Sequence, residues 1–381
     1  MREGWEYKKL GEVASYINGY AFKPEQWKEH GTPIIRIQNL NNPEAPFNYF
    51  DGEVPEKVKV QEGDLLISWS ASLGAYIWHG DNAFLNQHIF KVVFDKTDID
   101  KMFLKYAVTS KLEEMVGQVH GATMKHIVKK DFDNTRIPFP PKSTQLTIVS
   151  ELDKINELIS LKKEQLVEYD NLAQSIFYEM FGDPMENEKG WEVKKLGEIS
   201  IIKTGPFGSM LHKEDYITGG IPLINPMHMQ DYKVLPDINF TITKEKASEL
   251  SNYLLKQNDV IFARRGEIGR CAIISSKEQG YLCGTGSLFV RFTIEYSSVF
   301  TMYLVRSTSF VKELVSKAKG ATMLNLNSTI MENLLFPIPP LPLQQSFASR
   351  IEQIEKLKSE VQNAITNLET LLASRMQYWF E

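Results

Sequence analysis

Two stretches of the chain carry apolar residues at alternating three- and four-residue intervals, each sustained over about five heptads. In the first, Ile148, Leu152, Ile155, Ile159, Leu166, Tyr169, Ala173, Ile176 and Met180 form one stripe, with Lys162 its single charged member. In the second, Phe347, Ile351, Ile354, Val361, Ile365, Leu368, Leu372 and Trp379 do the same, interrupted by Lys358 and Arg375. No glycine or proline breaks either run. This spacing predicts two coiled-coil helices, each roughly 57 Å long at 1.5 Å per residue. A lone helix cannot hide so narrow a stripe from water, and the chain contains two.

The remaining sequence has a different texture. Short apolar runs such as Ile34-Ile35-Arg36-Ile37, Asp64-Leu65-Leu66-Ile67-Ser68-Trp69 and Phe90-Lys91-Val92-Val93-Phe94 are separated by Gly, Asn, Pro and Asp. They predict strands, followed by a helix over 101–116. Ile221-Pro222-Leu223-Ile224, Asp259-Val260-Ile261-Phe262-Ala263 and Leu288-Phe289-Val290-Arg291-Phe292 repeat the order, followed by a helix over 299–316. The repetition is explicit in the letters. Gly4-Trp5-Glu6-Tyr7-Lys8-Lys9-Leu10-Gly11-Glu12 returns as Gly190-Trp191-Glu192-Val193-Lys194-Lys195-Leu196-Gly197-Glu198. Gly121-Ala122-Thr123-Met124 returns as Gly320-Ala321-Thr322-Met323, and Phe139-Pro140-Pro141 with Gln145 returns as Ile338-Pro339-Pro340 with Gln344. Several matches in one order define an internal duplication. The expected organisation is an α+β domain of irregular sheet over 1–142, a long helix over 143–181, a second such domain over 182–341 and a second long helix over 342–381.

Composition narrows the class. With 43% hydrophobic and 24% charged residues in 381, the chain has the balance of a globular protein and length for two or three domains. The first ten residues lack an apolar signal core, and charges or turn residues break every apolar run short of a membrane span. A cytoplasmic protein is expected. Cys271 and Cys283 are the only cysteines, too few for a disulfide framework or a cysteine-built zinc site. By the repeat they correspond to Tyr76 and Leu85 and read as packing residues. The net charge of −5 lies mostly on 143–181, where 3 lysines face 7 acidic residues. The rest is near neutral, so charge neither demands nor excludes a nucleic-acid partner.

Catalytic patterns were sought and none holds. Asn225-Pro226-Met227-His228 lacks the second proline and the aromatic that a base-methylating loop needs. Asp183 with Glu192-Val193-Lys194 imitates a metal-dependent nuclease set, but the counterpart Glu6-Tyr7-Lys8 has no aspartate upstream, so a solvated first strand is expected. There is no phosphate-binding Gly-x-x-x-x-Gly-Lys-Ser/Thr loop, and the seven histidines show no ligand spacing. No catalytic, cofactor-binding or metal-ligating residue is expected in this chain.

What remains are polar strings just beyond strands, where recognition loops sit. Arg264-Arg265-Gly266-Glu267-Ile268-Gly269-Arg270 offers three guanidiniums that can fork onto phosphates or the O6/N7 edge of guanine. The first copy has Trp69-Ser70-Ala71-Ser72-Leu73-Gly74 at this place, with every arginine lost. Arg36, Gln38 and Asn39 stand opposite Asn225 and His228; Asn86, Gln87 and His88 opposite Thr285 and Ser287; Lys125 and His126 opposite Asn325 and Asn327. Together with Trp69, Ser70, Arg264, Arg265 and Arg270 these are the candidate DNA-contacting residues. A repeated frame with differing tips suits two recognition domains reading different sequences.

The paired openings, the doubled Gly-Ala-Thr-Met strings and the Pro-Pro–helix junctions resemble the specificity subunit of type I DNA restriction–modification systems, over residues 4–380. The resemblance implies two target-recognition domains joined by two long helices in an antiparallel coiled coil, each domain reading half of a bipartite target on double-stranded DNA. It also implies partners: two modification subunits that methylate adenine with S-adenosylmethionine, and restriction subunits that translocate and cleave with ATP and Mg²⁺. No membrane partner is implied. A stand-alone DNA-modifying or DNA-cleaving enzyme, and a coiled-coil scaffold without DNA contact, are the competing classes.

Overall fold

The computed structural model describes residues 5–42, 44–118, 127–318 and 325–381. It forms two compact units, Met1–Lys163 with Asn363–Glu381, and Glu164–Gln362. The boundary between them cuts both long helices, Lys142–Phe181 and Leu341–Phe380, so each unit contains the start of one and the end of the other.

In the first unit an antiparallel sheet orders Ser15–Asn18, Ile89–Val93, Leu65–Ser68 and Gly74–Ile77. A second sheet orders Asn48–Phe50, Thr32–Ile35, Ala83–Leu85 and Lys59–Val60, with Thr32–Ile35 and Ala83–Leu85 running parallel. The second unit repeats the first of these sheets as Ser200–Thr204, Ser287–Phe292, Val260–Ala263 and Cys271–Ile273. Its other sheet again has one parallel pair, Ile221–Ile224 beside Leu282–Cys283. The continuous apolar runs are explained by burial on both faces. Leu65 and Ile67 point into the core shared with the helices, while Leu66 points into the core between the sheets. Val260 and Phe262, against Ile261, divide the same way.

Two details depart from the sequence reading. The expected helix over 299–316 is two helices, Ser298–Arg306 and Thr308–Lys317. Ser307 between them is extended, and its hydroxyl accepts the Phe310 N–H, which starts a new helix at a serine cap. Cys271 lies opposite Phe262 as Ala75 lies opposite Ile67, so its counterpart is Ala75 and not Tyr76. The turn in the second copy is one residue longer. Cys283 does occupy the place of Leu85, and both cysteines are buried thiols.

The seam follows the apolar stripe except in the last turns, where Phe177, Phe181 and Phe380 are buried and the stripe's Ile176, Met180 and Trp379 are only half-buried. Within the first unit, Ile148, Leu152, Ile155 and Ile159 are buried, with Leu372 and Trp379 from the other helix half-buried. Phe380 closes that core against Phe103, ring centroids 5.3 Å apart. Within the second unit, Ala173, Phe177 and Phe181 meet Phe347, Ile351 and Ile354, and Phe181 lies edge-on to Phe300 at 4.6 Å. Pairing the end of one helix with the start of the other makes the pair antiparallel inside each unit. Two of the charged seam residues, Lys358 and Arg375, are tied to the facing helix. Lys358 donates to Asp170 at 2.8 Å and to Glu355 at 3.3 Å. Its burial alone would lower its pKa, but these carboxylates outweigh that and raise it. Arg375 grips both oxygens of Glu151, and Trp379 Nε1 donates to the same carboxylate at 3.0 Å.

A buried glutamine sits at the start of each long helix. The Gln145 amide accepts the Asp100 N–H at 2.8 Å and donates to the Pro140 carbonyl at 2.9 Å. Gln344 accepts the Ser297 N–H at 2.9 Å and donates to the Pro339 carbonyl at 2.8 Å. Both side chains are 1% exposed, so each amide satisfies backbone groups that would otherwise be buried without partners.

Two outcomes are expected. The Glu151 carboxyl is held below its ordinary value of 4.5, chiefly by its hydrogen bond from Arg375. Its contribution is therefore present above that pH and lost as the pH falls through the folded-state value. Glu151→Gln should cost at most about 1 kcal/mol at pH 7, and the gap to wild type in thermal melts should close on acidification. A gap that persists unchanged at pH 3 would contradict this. Second, Trp5 stacks on Trp379 at 6.1 Å, while Trp191 Nε1 donates to the Phe181 carbonyl at 3.0 Å. Each entering tryptophan thus meets the end of a long helix. A permuted chain running from Asn187 to Glu381, through a short linker to Met1 and on to Pro184, should fold and melt within about 4 °C of the parent, equivalent to about 1 kcal/mol. An insoluble or molten permutant would overturn that.

Candidate DNA interface

The best-built tip follows strand Val260–Ala263. Ala263 N–H donates to the Arg270 carbonyl at 2.9 Å and closes a six-residue loop. Gly266 (φ +81°) and Gly269 (φ +93°) take left-handed backbone that a side chain would strain, and buried Ile268 pins the loop to the core. Arg264 then ties three segments together. Its N–H donates to Gly286 O, and its carbonyl accepts the Leu326 N–H, both at 2.9 Å. Its Nε donates to Leu326 O at 3.2 Å and its Nη1 to Thr285 O at 3.4 Å. Burial, with Arg265 nearby, lowers the Arg264 pKa from the ordinary guanidinium value.

The first unit uses the same stitch. Trp69 N–H donates to His88 O at 3.4 Å, and Trp69 O accepts the Ile127 N–H at 3.1 Å. A side chain is absent where the loops approach the strand behind. A Cβ on Gly19 would lie 2.1 Å from Asn86 O, and one on Gly205 would lie 2.0 Å from Gly284 O. These repeated contacts fix Trp69/Arg264, Asn86/Gly284 and Ile127/Leu326 as equivalent points of one frame.

The sequence-derived candidates divide into two groups. Several are builders of the tip. Asn39 is 4% exposed; its Oδ1 accepts the Arg36 N–H at 3.1 Å and its Nδ2 donates to Ala45 O at 3.0 Å. His228 does the equivalent job, its Nδ1 accepting the Asn225 N–H at 3.1 Å, with its ring edge-on to Phe240. Burial is the main reason its imidazole pKa is lowered. Asn225 Oδ1 accepts the Gly286 N–H at 3.1 Å, and Thr285 Oγ1 donates to Pro206 O at 2.7 Å. Asn327 caps helix Ser328–Glu332 by accepting the Ile330 N–H at 2.9 Å. Ser70 and Ser287 are buried, and Trp69 packs between His88 and Phe90. Asn39, Asn225, His228 and Asn327 thus each use a side-chain atom to hold the loop backbone, and Ser287 lies in the core.

The second group faces solvent. Gln38 and Gln87 are exposed, and Gln87 Nε2 lies 3.3 Å from His88 Nε2. Arg36 stacks on Trp27 and donates to Asn48 Oδ1 at 2.9 Å. Arg270 pairs with Glu267 and donates to Pro226 O at 3.2 Å. Arg265 is exposed, its backbone bridged to Asn325. Asn86 holds Ile35 O through its N–H. Lys125 and His126, with both Gly-Ala-Thr-Met strings, lie outside the described residues. Sequence reading missed the ion pairs behind the tips, Lys91–Asp64 at 2.8 Å and Arg291–Asp259 at 2.6 Å. Asp64 and Asp259 are equivalent across the duplication, but the cations are not, since Lys91 stands where Phe289 does and Arg291 where Val93 does.

The residues imitating a nuclease do other work. Asp183 Oδ1 accepts the Met185 N–H at 2.8 Å, and Glu192 pairs with Lys194 at 3.2 Å on strand Glu192–Lys195. No group of three or more potential metal-ligating side chains occurs among the described residues. No described helix is long and apolar enough to cross a membrane.

Two units with one frame, different tips and antiparallel seam helices define a duplicated DNA-specificity fold. The type I restriction modification DNA specificity domain matches residues 2–168 and again 188–370, and the chain belongs to that family. It is 23% identical to the EcoBI specificity subunit of Escherichia coli, covering 98% of this chain and 85% of that one. It is 22% identical to the MjaVIII specificity subunit of Methanocaldococcus jannaschii, covering 95% and 92%. The fold matches the type I restriction–modification S subunit from M. genitalium with TM-score 0.53 at 15% identity, over 100% and 98% of the chains. A chain from a structure of type I restriction–modification complex assembly matches with TM-score 0.66 at 17% identity, over 99% and 97%.

Asn39→Ala should lower stability by about 1–2 kcal/mol, because it removes a cap and leaves the Arg36 N–H and two carbonyls unserved. Denaturant unfolding measures this directly. Wild-type stability in the variant would show that the 36–46 loop holds itself without Asn39.

Proposed function

We propose that this chain is the recognition subunit of a type I restriction–modification complex, with each unit reading one half of a bipartite DNA target. One observation carries the reading. The hydrogen bonds that build the tip are repeated between the units, whereas the exposed groups they present differ, Gln38 and Gln87 on one and Arg265 on the other. A duplicated catalytic domain would hold its reactive groups constant and let the rim vary. Here the frame is constant and the groups facing outward vary, which suits reading two sequences on one duplex.

In this reading the chain positions DNA and does no chemistry itself. Two modification subunits supply methyl transfer from S-adenosylmethionine to adenine, and restriction subunits supply ATP- and Mg²⁺-dependent translocation and cleavage. Family membership and the relatives' names as specificity subunits support a place in such a complex; the long helices offer modification subunits a pair of related surfaces.

The purified chain alone should transfer no methyl group and cut no duplex. Combined with its modification subunits and S-adenosylmethionine, it should direct methylation to two short blocks separated by unread base pairs, mapped by sequencing the methylated adenines. Turnover by the isolated chain, or methylation without a bipartite pattern, would overturn the proposal.

A further inference from the structure

Three arginines crowd the tip at 264–270, and the structure gives them unequal work. Arg264 spends its side chain on the carbonyls of Leu326 and Thr285. Arg270 spends its own on Glu267 and the carbonyl of Pro226. Arg265 is exposed, and among the described residues its guanidinium enters no hydrogen bond or ion pair. Its position is nonetheless fixed, because residues 264 and 326 are hydrogen-bonded through their backbones and Arg265 itself bridges to Asn325. The side chain therefore projects from an anchored backbone with its five donors free of partners among the described residues.

We propose that Arg265 is the specificity-determining residue of the second unit, and that its planar fork takes the O6 and N7 acceptors of a guanine in the major groove. This rests on the recognition function proposed above. A phosphate is the other acceptor a guanidinium takes. Phosphate contacts carry no sequence information and would suit both units alike, whereas Arg265 stands where the first unit has Ser70. Under the tip, Asn325 Oδ1 is buried without a hydrogen bond among the described residues. An unsatisfied acceptor beside the loop fits a surface completed by ligand or by the water that accompanies it. The first unit has Ser70 and Ala71 here and no arginine, so the assignment applies to one half of the target alone.

The test uses the chain assembled with its modification subunits and a pool of random-sequence duplex DNA, from which the bound fraction is sequenced. Wild type should enrich a bipartite target; if it enriches none, the recognition function itself fails and the Arg265 assignment falls with it. Given a wild-type target, Arg265→Ala should melt as wild type does and make a single guanine position degenerate in one block. Affinity for the wild-type target should fall about 5- to 150-fold. The other block should stay unchanged. Arg265→Lys should keep the charge yet recover only part of the discrimination, since the fork is gone. A uniform loss across sequences with a shallower salt dependence would make Arg265 a phosphate clamp and overturn the assignment. Unchanged affinity and an unchanged target would overturn it as well. Arg264→Ala serves as the contrast: it should lower the melting temperature and disturb several positions together.

Discussion

The structure depends on burying the aromatic end of each long helix in a core that the other helix helps to build. Phe181 ends a helix that starts in the first unit and is buried among Phe177, Phe300 and Phe347 of the second. Phe380 ends a helix that starts in the second unit and is 3% exposed beside Phe103 in the first. Full burial of one such ring is worth about 1.5–3 kcal/mol, a sizeable share of a domain's net stability. Neither α+β domain has a complete core without a helix supplied by the other half of the chain. The glutamines at 145 and 344 act at the opposite ends of the same helices, each tying the helix start to the loop that precedes a domain helix.

This arrangement decides which parts of the molecule are free to vary. Core faces, the paired N-terminal strands and the backbone stitches at the tips are each constrained by a partner from a distant segment. The solvent side of each loop carries no such obligation. Gln38, Gln87 and Arg265 sit there on backbone that is already fixed, which is the arrangement that lets a side chain be chosen for its chemistry. The second unit adds a hairpin, Met229–Gln230 with Lys233–Val234, whose tip lays Tyr232 under the Arg306 guanidinium at 3.6 Å. That loop is fastened to the helix Ser298–Arg306 instead of projecting freely.

The duplication and the seam were legible in the sequence because both repeat: one repeats letters in the same order, the other repeats apolarity every three or four residues. The strands were legible for a related reason, since burial on both faces leaves an unbroken apolar run at Leu65–Ser68 and Val260–Ala263. The tips were only half legible. Asn39 and Asn327 looked like base readers and proved to be caps, and His228 proved to serve the loop in the way Asn39 does. A short polar side chain just after a strand suits an amide edge of DNA and a free N–H of the backbone equally well. What separates the two is the position of a neighbouring donor three residues away, which only the folded loop supplies. Arg264 and Arg265, adjacent in sequence, differ for a related reason, since carbonyls from the distant Leu326 and Thr285 meet the first side chain.

Gly266 and Gly269 bend the loop, and the Arg264 carbonyl holds it to Leu326, so its shape is independent of what residue 265 carries. Exchange of that one exposed side chain leaves the folding free energy almost untouched. Over generations such a position drifts without being purged for instability, and, with Arg265 in the proposed role, each accepted change alters the half-target that the second unit reads.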